Sequence, residues 1–260
     1  MMRRLLFGIC FALFASSAAA AQSRAPAKPT IVLIHGAFAE SSSWDGVIDR
    51  LSEHGFHVIA AANPLRGVQS DAAALAALLE SVDGPMVLVG HSYGGMLFSA
   101  PAVQTNKVRA LVYVAAFLPD AGETALGLSG RFPGSSLGAT LAPPVAMPGG
   151  GQDLYINQAA FPAQFAADVP PAMAKRMAAT QRPIAQGALV EPAGAPAWRS
   201  IPSWSVYGSA DLNIPAAAHA FMADRARVRR AVRISGASHV VMISHPDEVA
   251  ALIEEAATAP

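Results

Sequence analysis

Short apolar runs alternate with helix-period segments along most of this 260-residue chain. Ile31-Val32-Leu33-Ile34 is a β-branched run that stops at His35-Gly36. Residues 44–53 carry Trp44, Val47, Ile48 and Leu51 on one helical face, and Gly55 ends that helix. Residues 56–61 read as a second strand, broken by Asn63-Pro64. Asp71 is the expected N-cap of an alanine- and leucine-rich helix through Ser81. Met86-Val87-Leu88-Val89 is a third strand, and residues 93–104 read as the helix after it. Residues 109–116 form a fourth apolar strand. Strands that are apolar along their whole length, separated by helices, predict an α/β domain. Its sheet is mostly parallel and flanked by helices on both faces.

The alternation fails after residue 118. Eleven of the twenty prolines fall between Pro119 and Pro196, and residues 122–151 show no firm period. Residues 158–188 look helical in pieces, cut by Pro162, Pro170-Pro171 and Pro183. Regular alternation resumes at Ser203-Trp204-Ser205-Val206-Tyr207. A helix from Pro215, a strand at 231–234 and a last helix at 246–256 follow. The core is therefore expected at 30–118 and 199–260, with 119–198 inserted as a largely helical cap over the strand ends. Phe161, Phe165, Met173, Met177, Ile184 and Leu189 give the insertion more apolar residues than a disordered loop carries.

Composition changes the picture at the N-terminus. Arg3 and Arg4, the apolar stretch 5–14 and the small residues Ala18-Ala19-Ala20-Ala21 have the form of a secretory signal peptide over 1–21. The stretch is too short for a permanent membrane anchor. Residues 22–29 then form a loose leader, and the expected location is periplasmic or secreted. Cys10 is the sole cysteine and falls inside that segment, so neither a disulfide framework nor a cysteine nucleophile is expected in the mature chain. The chain has 18 basic and 18 acidic residues, and no basic run suggests a nucleic-acid partner. Nothing in the pattern specifies an oligomer.

Gly90-His91-Ser92-Tyr93-Gly94 directly follows the third strand and fits the Gly-x-Ser-x-Gly nucleophile elbow. The flanking glycines allow the sharp strand-to-helix turn that lifts a serine hydroxyl above the sheet. Serine needs a base, and the base is best oriented by a carboxylate. In this architecture the partners follow in the order Ser, acid, His. His239, on the loop after the strand at 231–234, is the candidate base, with His245 the runner-up. Asp211, on the loop after the strand at 203–207, is the candidate acid, with Asp120 the alternative. The oxyanion of the tetrahedral intermediate needs fixed donors. The Tyr93 amide is one candidate, and the other comes from Ala37, or alternatively Phe38, on the loop after the first strand. His35 reads as a structural hydrogen-bonder, and Trp44 as core or pocket wall.

With these residues placed, the chain resembles the α/β-hydrolases. Within them it is similar to the plant methylesterase and hydroxynitrile lyase branch and its bacterial esterase relatives. The carriers are His35-Gly36-Ala37 with Trp44, Gly90-His91-Ser92-Tyr93-Gly94-Gly95-Met96, and Ala115-Ala116-Phe117-Leu118-Pro119-Asp120. Asp211 before Ile214-Pro215 and His239 before Pro246 continue it, while the insertion matches only loosely. The resemblance implies Ser92, Asp211 and His239 as triad, Ala37 and Tyr93 as oxyanion amides, and no metal or cofactor. The lyases of that branch carry a threonine in place of Gly36 and a lysine in place of Val240, so ester hydrolysis is the expectation. Its substrate is a small to medium apolar ester. Lactone or amide hydrolysis, perhydrolysis, hydroxynitrile cleavage and a non-catalytic small-molecule receptor are the alternatives on this scaffold.

Overall fold

A computed structural model describes residues 28–260. The expected signal peptide, Cys10 and most of the expected leader lie outside the described residues. The core strands are β1 (Thr30–Ile34), β2 (Val58–Ala61), β3 (Met86–His91) and β4 (Val108–Val114). The insertion carries β5 (Val145–Ala146), β6 (Gln152–Leu154) and β7 (Ile184–Ala185), and the core closes with β8 (Ser203–Gly208) and β9 (Arg230–Ile234). The six core strands form one sheet in the order β2-β1-β3-β4-β8-β9, and every pairing is parallel. β1, β3 and β8 are buried at every position. That burial is why these strands read as unbroken apolar runs instead of an alternation.

The principal helices are α1 (Asp45–Glu53), α2 (Val68–Glu80), α3 (Ala125–Ser129), α4 (Leu137–Thr140) and α5 (Phe161–Phe165). They continue with α6 (Pro171–Thr180), α7 (Gln186–Val190), α8 (Ala216–Ala226), α9 (Val241–Ser244) and α10 (Pro246–Thr258). The chain steps from β1 to β2 in one direction and from β3 onward in the other. Right-handed crossovers then place α1 on one face and α2 and α8 on the opposite face. α1 packs against α10, and α8 lies on β8.

Three local expectations shift. Asp71 is not the N-cap of α2: the helix begins earlier, with Gly67 as its cap. Asp71 sits inside the first turn, and its carboxylate reaches back to the amides of Arg66 and Gly67. The segment after β3 is a 3-10 helix, Ser92–Ser99, followed by a second at Pro101–Val103. Gly94-Gly95 and Pro101 are poor α-helix formers. The insertion is not helical alone, because β5, β6 and β7 form a small antiparallel sheet. These strands are too short to show a period, and the β5–β6 turn uses Gly149, Gly150 and Gly151 at positive φ.

The insertion is moored to the core through backbone as well as charge. Glu191 accepts from the Val68 and Gln69 amides (2.8 and 2.9 Å), so a carboxylate of the insertion caps the N-terminus of α2. Arg66 donates to Asp153 (2.6 Å) and to the Pro183 carbonyl (2.9 Å). Arg182 holds Glu40 through two bonds. Orphan amides at a helix start are satisfied best by an anionic acceptor. Glu191→Ala should therefore lower the urea-unfolding free energy by about 1–2 kcal/mol, checked by denaturation followed in the far ultraviolet.

Candidate active site

All six core strands run the same way, so their C-terminal ends share one edge of the sheet. β1 and β3 are neighbours whose following connections leave in opposite directions. A crevice opens where the order reverses, and that is where this class of sheet binds ligands. The loop after β1 brings Gly36, Ala37 and Phe38 to the crevice, and β3 delivers Ser92.

Ser92 takes φ +52°, a left-handed conformation that costs energy in a residue with a Cβ. Tight turning holds it there: a Cβ on Gly94 would lie 2.7 Å from the Ile34 carbonyl oxygen. Gly36 is equally constrained, since a Cβ there would lie 2.6 Å from the Ser92 Cβ and 3.1 Å from the Tyr93 nitrogen. The Gly36 peptide is held from both sides by histidines. His35 Nδ1 donates to the Gly36 carbonyl (2.9 Å), while its Nε2 accepts from the Asn63 amide (3.0 Å). His91 Nδ1 accepts from the Gly36 amide (3.4 Å), and its Nε2 donates to the His239 carbonyl (3.2 Å). Each ring has one donating and one accepting nitrogen, which is the neutral form. Burial holds both below the ordinary histidine value, and the adjacent His239 adds to this at His91.

Asp211 lies on the loop after β8, and its side chain has no contact with solvent. Its Oδ1 accepts from the amides of Asn213 (2.7 Å) and Ile214 (3.0 Å). Its Oδ2 meets His239 Nδ1 at 2.6 Å and His219 Nε2 at 3.2 Å. Burial alone pushes this carboxyl up. The charge of His239 and the bonds from His219 and His239 outweigh it and hold the group well below the usual carboxylate range.

Ser92, Tyr93, Ala37, Phe38 and His239 line one cavity of about 470 Å³, mouth included. Its other walls are mainly apolar, among them Phe117, Leu126, Leu137, Phe165 and Ile214, with Ser129 and Asn213 as polar exceptions. Ser92 and His239 are not joined by a hydrogen bond among the described residues; they share the cavity wall. The Tyr93 amide is in the first turn of a helix, where an N–H has no preceding helical carbonyl. The Phe38 amide is already given to the Arg182 carbonyl (2.9 Å). Asp120, the alternative acid, pairs at the surface with Arg199 (2.7 Å). His245, the alternative base, contacts Ser244 and Asp168 at the start of α10. The structure thus groups Ser92, Asp211 and His239 and leaves the two alternatives outside.

Three residues here escaped sequence reasoning. His91 links the Gly36 loop to the His239 backbone, and its only signal was its place between Gly90 and Ser92. Asp71 accepts from the Tyr93 hydroxyl (3.0 Å) and so anchors the residue after Ser92. His219 lies on α8, eight residues after Asp211. A turn followed by a helix start at that spacing points a side chain back at the acid, which sequence inspection can find.

Residues 31–252 match the Alpha/beta hydrolase family, and the chain belongs to it. Among solved structures it is similar to polyneuridine aldehyde esterase (18% identical, TM-score 0.75, covering 88% of this chain and 99% of that one). It is also similar to a pyrethroid hydrolase from Sphingobium faniae JZ-2 (22%, TM-score 0.69, 89% and 98%). A third likeness is to the methylesterase MES16 from Arabidopsis (16%, TM-score 0.68, 88% and 98%). At these identities the likeness carries the fold alone, the α/β-hydrolase fold that the sequence resembles. A curated AB hydrolase superfamily protein of Gibberella zeae is 35% identical over 94 residues, and the match spans about a third of that protein (33%) and 32% of this chain.

The buried histidines link this site to stability. His35, His91 and His219 are all held below their ordinary value, chiefly by burial. The unfolded chain therefore binds protons first as pH falls through the ordinary histidine range, about 6.5. Their neutral burial stabilises the fold above that range, and the contribution is lost on acidification. The urea midpoint should accordingly fall between pH 7 and pH 5, before the exposed carboxylates titrate. A flat midpoint over that window would contradict neutral, buried rings.

Proposed function

We propose that the protein is a serine carboxylesterase for small to medium, uncharged, apolar esters. One observation carries the reading: a solvent-free Asp211–His239 pair opens onto the same apolar cavity as a serine in a strained elbow. In this reading Ser92 Oγ attacks the acyl carbon while His239 Nε2 takes its proton. Asp211 holds Nδ1–H of His239, which aims Nε2 at the cavity and stabilises the imidazolium that forms. The proton passes to the leaving alcohol, and water hydrolyses the acyl-enzyme with His239 as base again. The amides of Tyr93 and Ala37 hold the negative oxygen. Ala37 is favoured over Phe38 because the Phe38 N–H is spent on Arg182.

The pocket supports the substrate class. His239 is the single ionisable imidazole among its lining residues, and no carboxylate, lysine or arginine lines it. A charged acyl or alcohol group would lose hydration there with no partner. The hydroxynitrile lyase reading loses support from geometry as well as from residue type. A threonine at position 36 would put its Cβ 2.6 Å from that of Ser92, and Val240 is fully buried where the lyases carry lysine.

Ser92→Ala should lower turnover of p-nitrophenyl acetate and butyrate by roughly 10⁴-fold or more with the fold intact. A fluorophosphonate probe should label the parent protein and abolish its activity. Esterase activity surviving in Ser92→Ala, or a parent that resists the probe, would overturn the reading. We also propose export, from Arg3, Arg4, the apolar stretch 5–14 and Ala18-Ala19-Ala20-Ala21. Intact mass of the full-length gene product recovered from a periplasmic or culture fraction should then correspond to a chain starting near residue 22. An uncleaved mass would refute processing.

A further inference from the structure

His219 takes no part in the acyl-transfer steps, yet it is buried against the group that orients the base. It projects from the first turn of α8 and is 0% exposed. Its ring stacks on Tyr207, with centroids 4.8 Å apart and planes 18° apart. Its Nε2 lies 3.2 Å from Asp211 Oδ2, the oxygen that His239 Nδ1 meets at 2.6 Å. An ionised carboxylate only accepts, so His219 Nε2 carries the proton and donates. The Nδ1 of that neutral ring is then an acceptor that meets no donor among the described residues, and the backbone group beside the ring is the Ala116 carbonyl, itself an acceptor.

That orphan nitrogen is informative. A buried polar atom without a partner costs free energy, whereas an apolar residue of similar shape would fill the same space without it. Packing therefore does not account for an imidazole at this position. What an imidazole adds is one donor, delivered to the oxygen that His239 depends on.

We propose that His219 is a positioning residue of the triad: it shares the Asp211 oxygen with His239 and thereby moderates how strongly the carboxylate draws a proton onto His239. This rests on the reading of Ser92, Asp211 and His239 as the reacting set. Withdrawing part of the Oδ2 charge weakens the stabilisation of an imidazolium at His239. The base then sheds its proton at lower pH, which widens the range over which Ser92 can be deprotonated. It also fixes Oδ2 from a second direction, so the carboxylate cannot swing away when His239 moves.

The groups that face this assembly are few. His219 comes from α8, His239 from the loop after β9, and His91 from β3, its ring 4.9 Å from that of His239. His35, after β1, lies beyond His91, and Tyr207 of β8 covers His219. Burial keeps His219, His91 and His35 below the ordinary histidine value, so none of the three brings a competing positive charge. The charge on Oδ2 is thus shared between two imidazole donors, one of which takes up and gives back a proton in the proposed reaction.

The test compares His219→Phe and His219→Gln with the parent protein. The phenylalanine variant keeps the stack on Tyr207 and lacks the donor, while the glutamine variant retains an N–H at about the position of Nε2. In His219→Phe the acid limb of the kcat/KM profile should move to higher pH by roughly 0.5–1 unit, and in His219→Gln it should return to the parent position. A limb that stays in place in both variants, or moves equally in both, would overturn the proposal. Should the phenylalanine variant not fold, His219→Met takes its place under the same criteria. Nitrogen-15 NMR of the parent protein gives a reading that needs no variant: His219 should carry its proton on Nε2 from pH 6 to 8, and an imidazolium or an Nδ1–H tautomer there would refute it. The His239 signal, followed in His219→Gln and His219→Phe, reports the same shift whether or not any ester is turned over. Failure of the esterase reading is therefore distinguishable from failure of this one.

Discussion

A negative charge held away from water at the end of β8 is what the surrounding structure is built to tolerate. Moving a carboxylate out of water costs several kcal/mol even after relaxation, unless its lone pairs are filled. Asp211 fills them with four donors, two from backbone amides and two from imidazoles. The amide donors lie just before α8, whose N-terminus adds a favourable field for an anion. The acid loop is tied in turn to the base loop: Ser209 donates to the Ile234 carbonyl, Ala210 to that of Ala237, and Gly236 to the Ser209 hydroxyl. Where Asp211 goes, His239 follows, because parallel neighbours β8 and β9 end in loops that are stitched together.

The opposite wall of the crevice is organised without charge. Two neutral histidines clamp the Gly36 peptide, one by its carbonyl and one by its amide. His91 spans the whole site, from the Gly36 amide to the His239 carbonyl. A protonated ring would lose the bond its second nitrogen accepts, from the Asn63 amide at His35 and from the Gly36 amide at His91. Burial without charge is therefore a requirement of the geometry.

The strands and the positions of the candidate residues at their ends were legible in the sequence because both follow from local signals. Ile31-Val32-Leu33-Ile34 and Met86-Val87-Leu88-Val89 are buried on two faces and need no partner to be recognised. Ser92, Asp211 and His239 each follow a strand, and a parallel sheet brings every such loop to one edge. What escaped depends on contacts remote in sequence. The 3-10 turn after Ser92 follows from close packing of Gly95 on Phe117, where a Cβ would lie 2.3 Å from a carbonyl oxygen. Glu191 replaces Asp71 at the start of α2 from 123 residues away. The sheet β5-β6-β7 has strands of two or three residues, below the length at which any periodicity is readable.

The insertion reaches the candidate site through one backbone bond as well as through its bulk. Phe38 stands at φ +60°, a conformation that a phenylalanine adopts only when held. The Arg182 carbonyl holds it by taking the Phe38 amide, and the Arg182 side chain binds Glu40 on the same loop. With the Phe38 amide given to the insertion, its ring meets Phe165 edge to face at 6.0 Å. Phe165 also lies 5.1 Å from the His239 ring. The same inserted segment thus holds the loop after β1 through Arg182 and packs on the His239 ring through Phe165. A displacement of the insertion would therefore disturb the loop after β1 and the surroundings of His239 together.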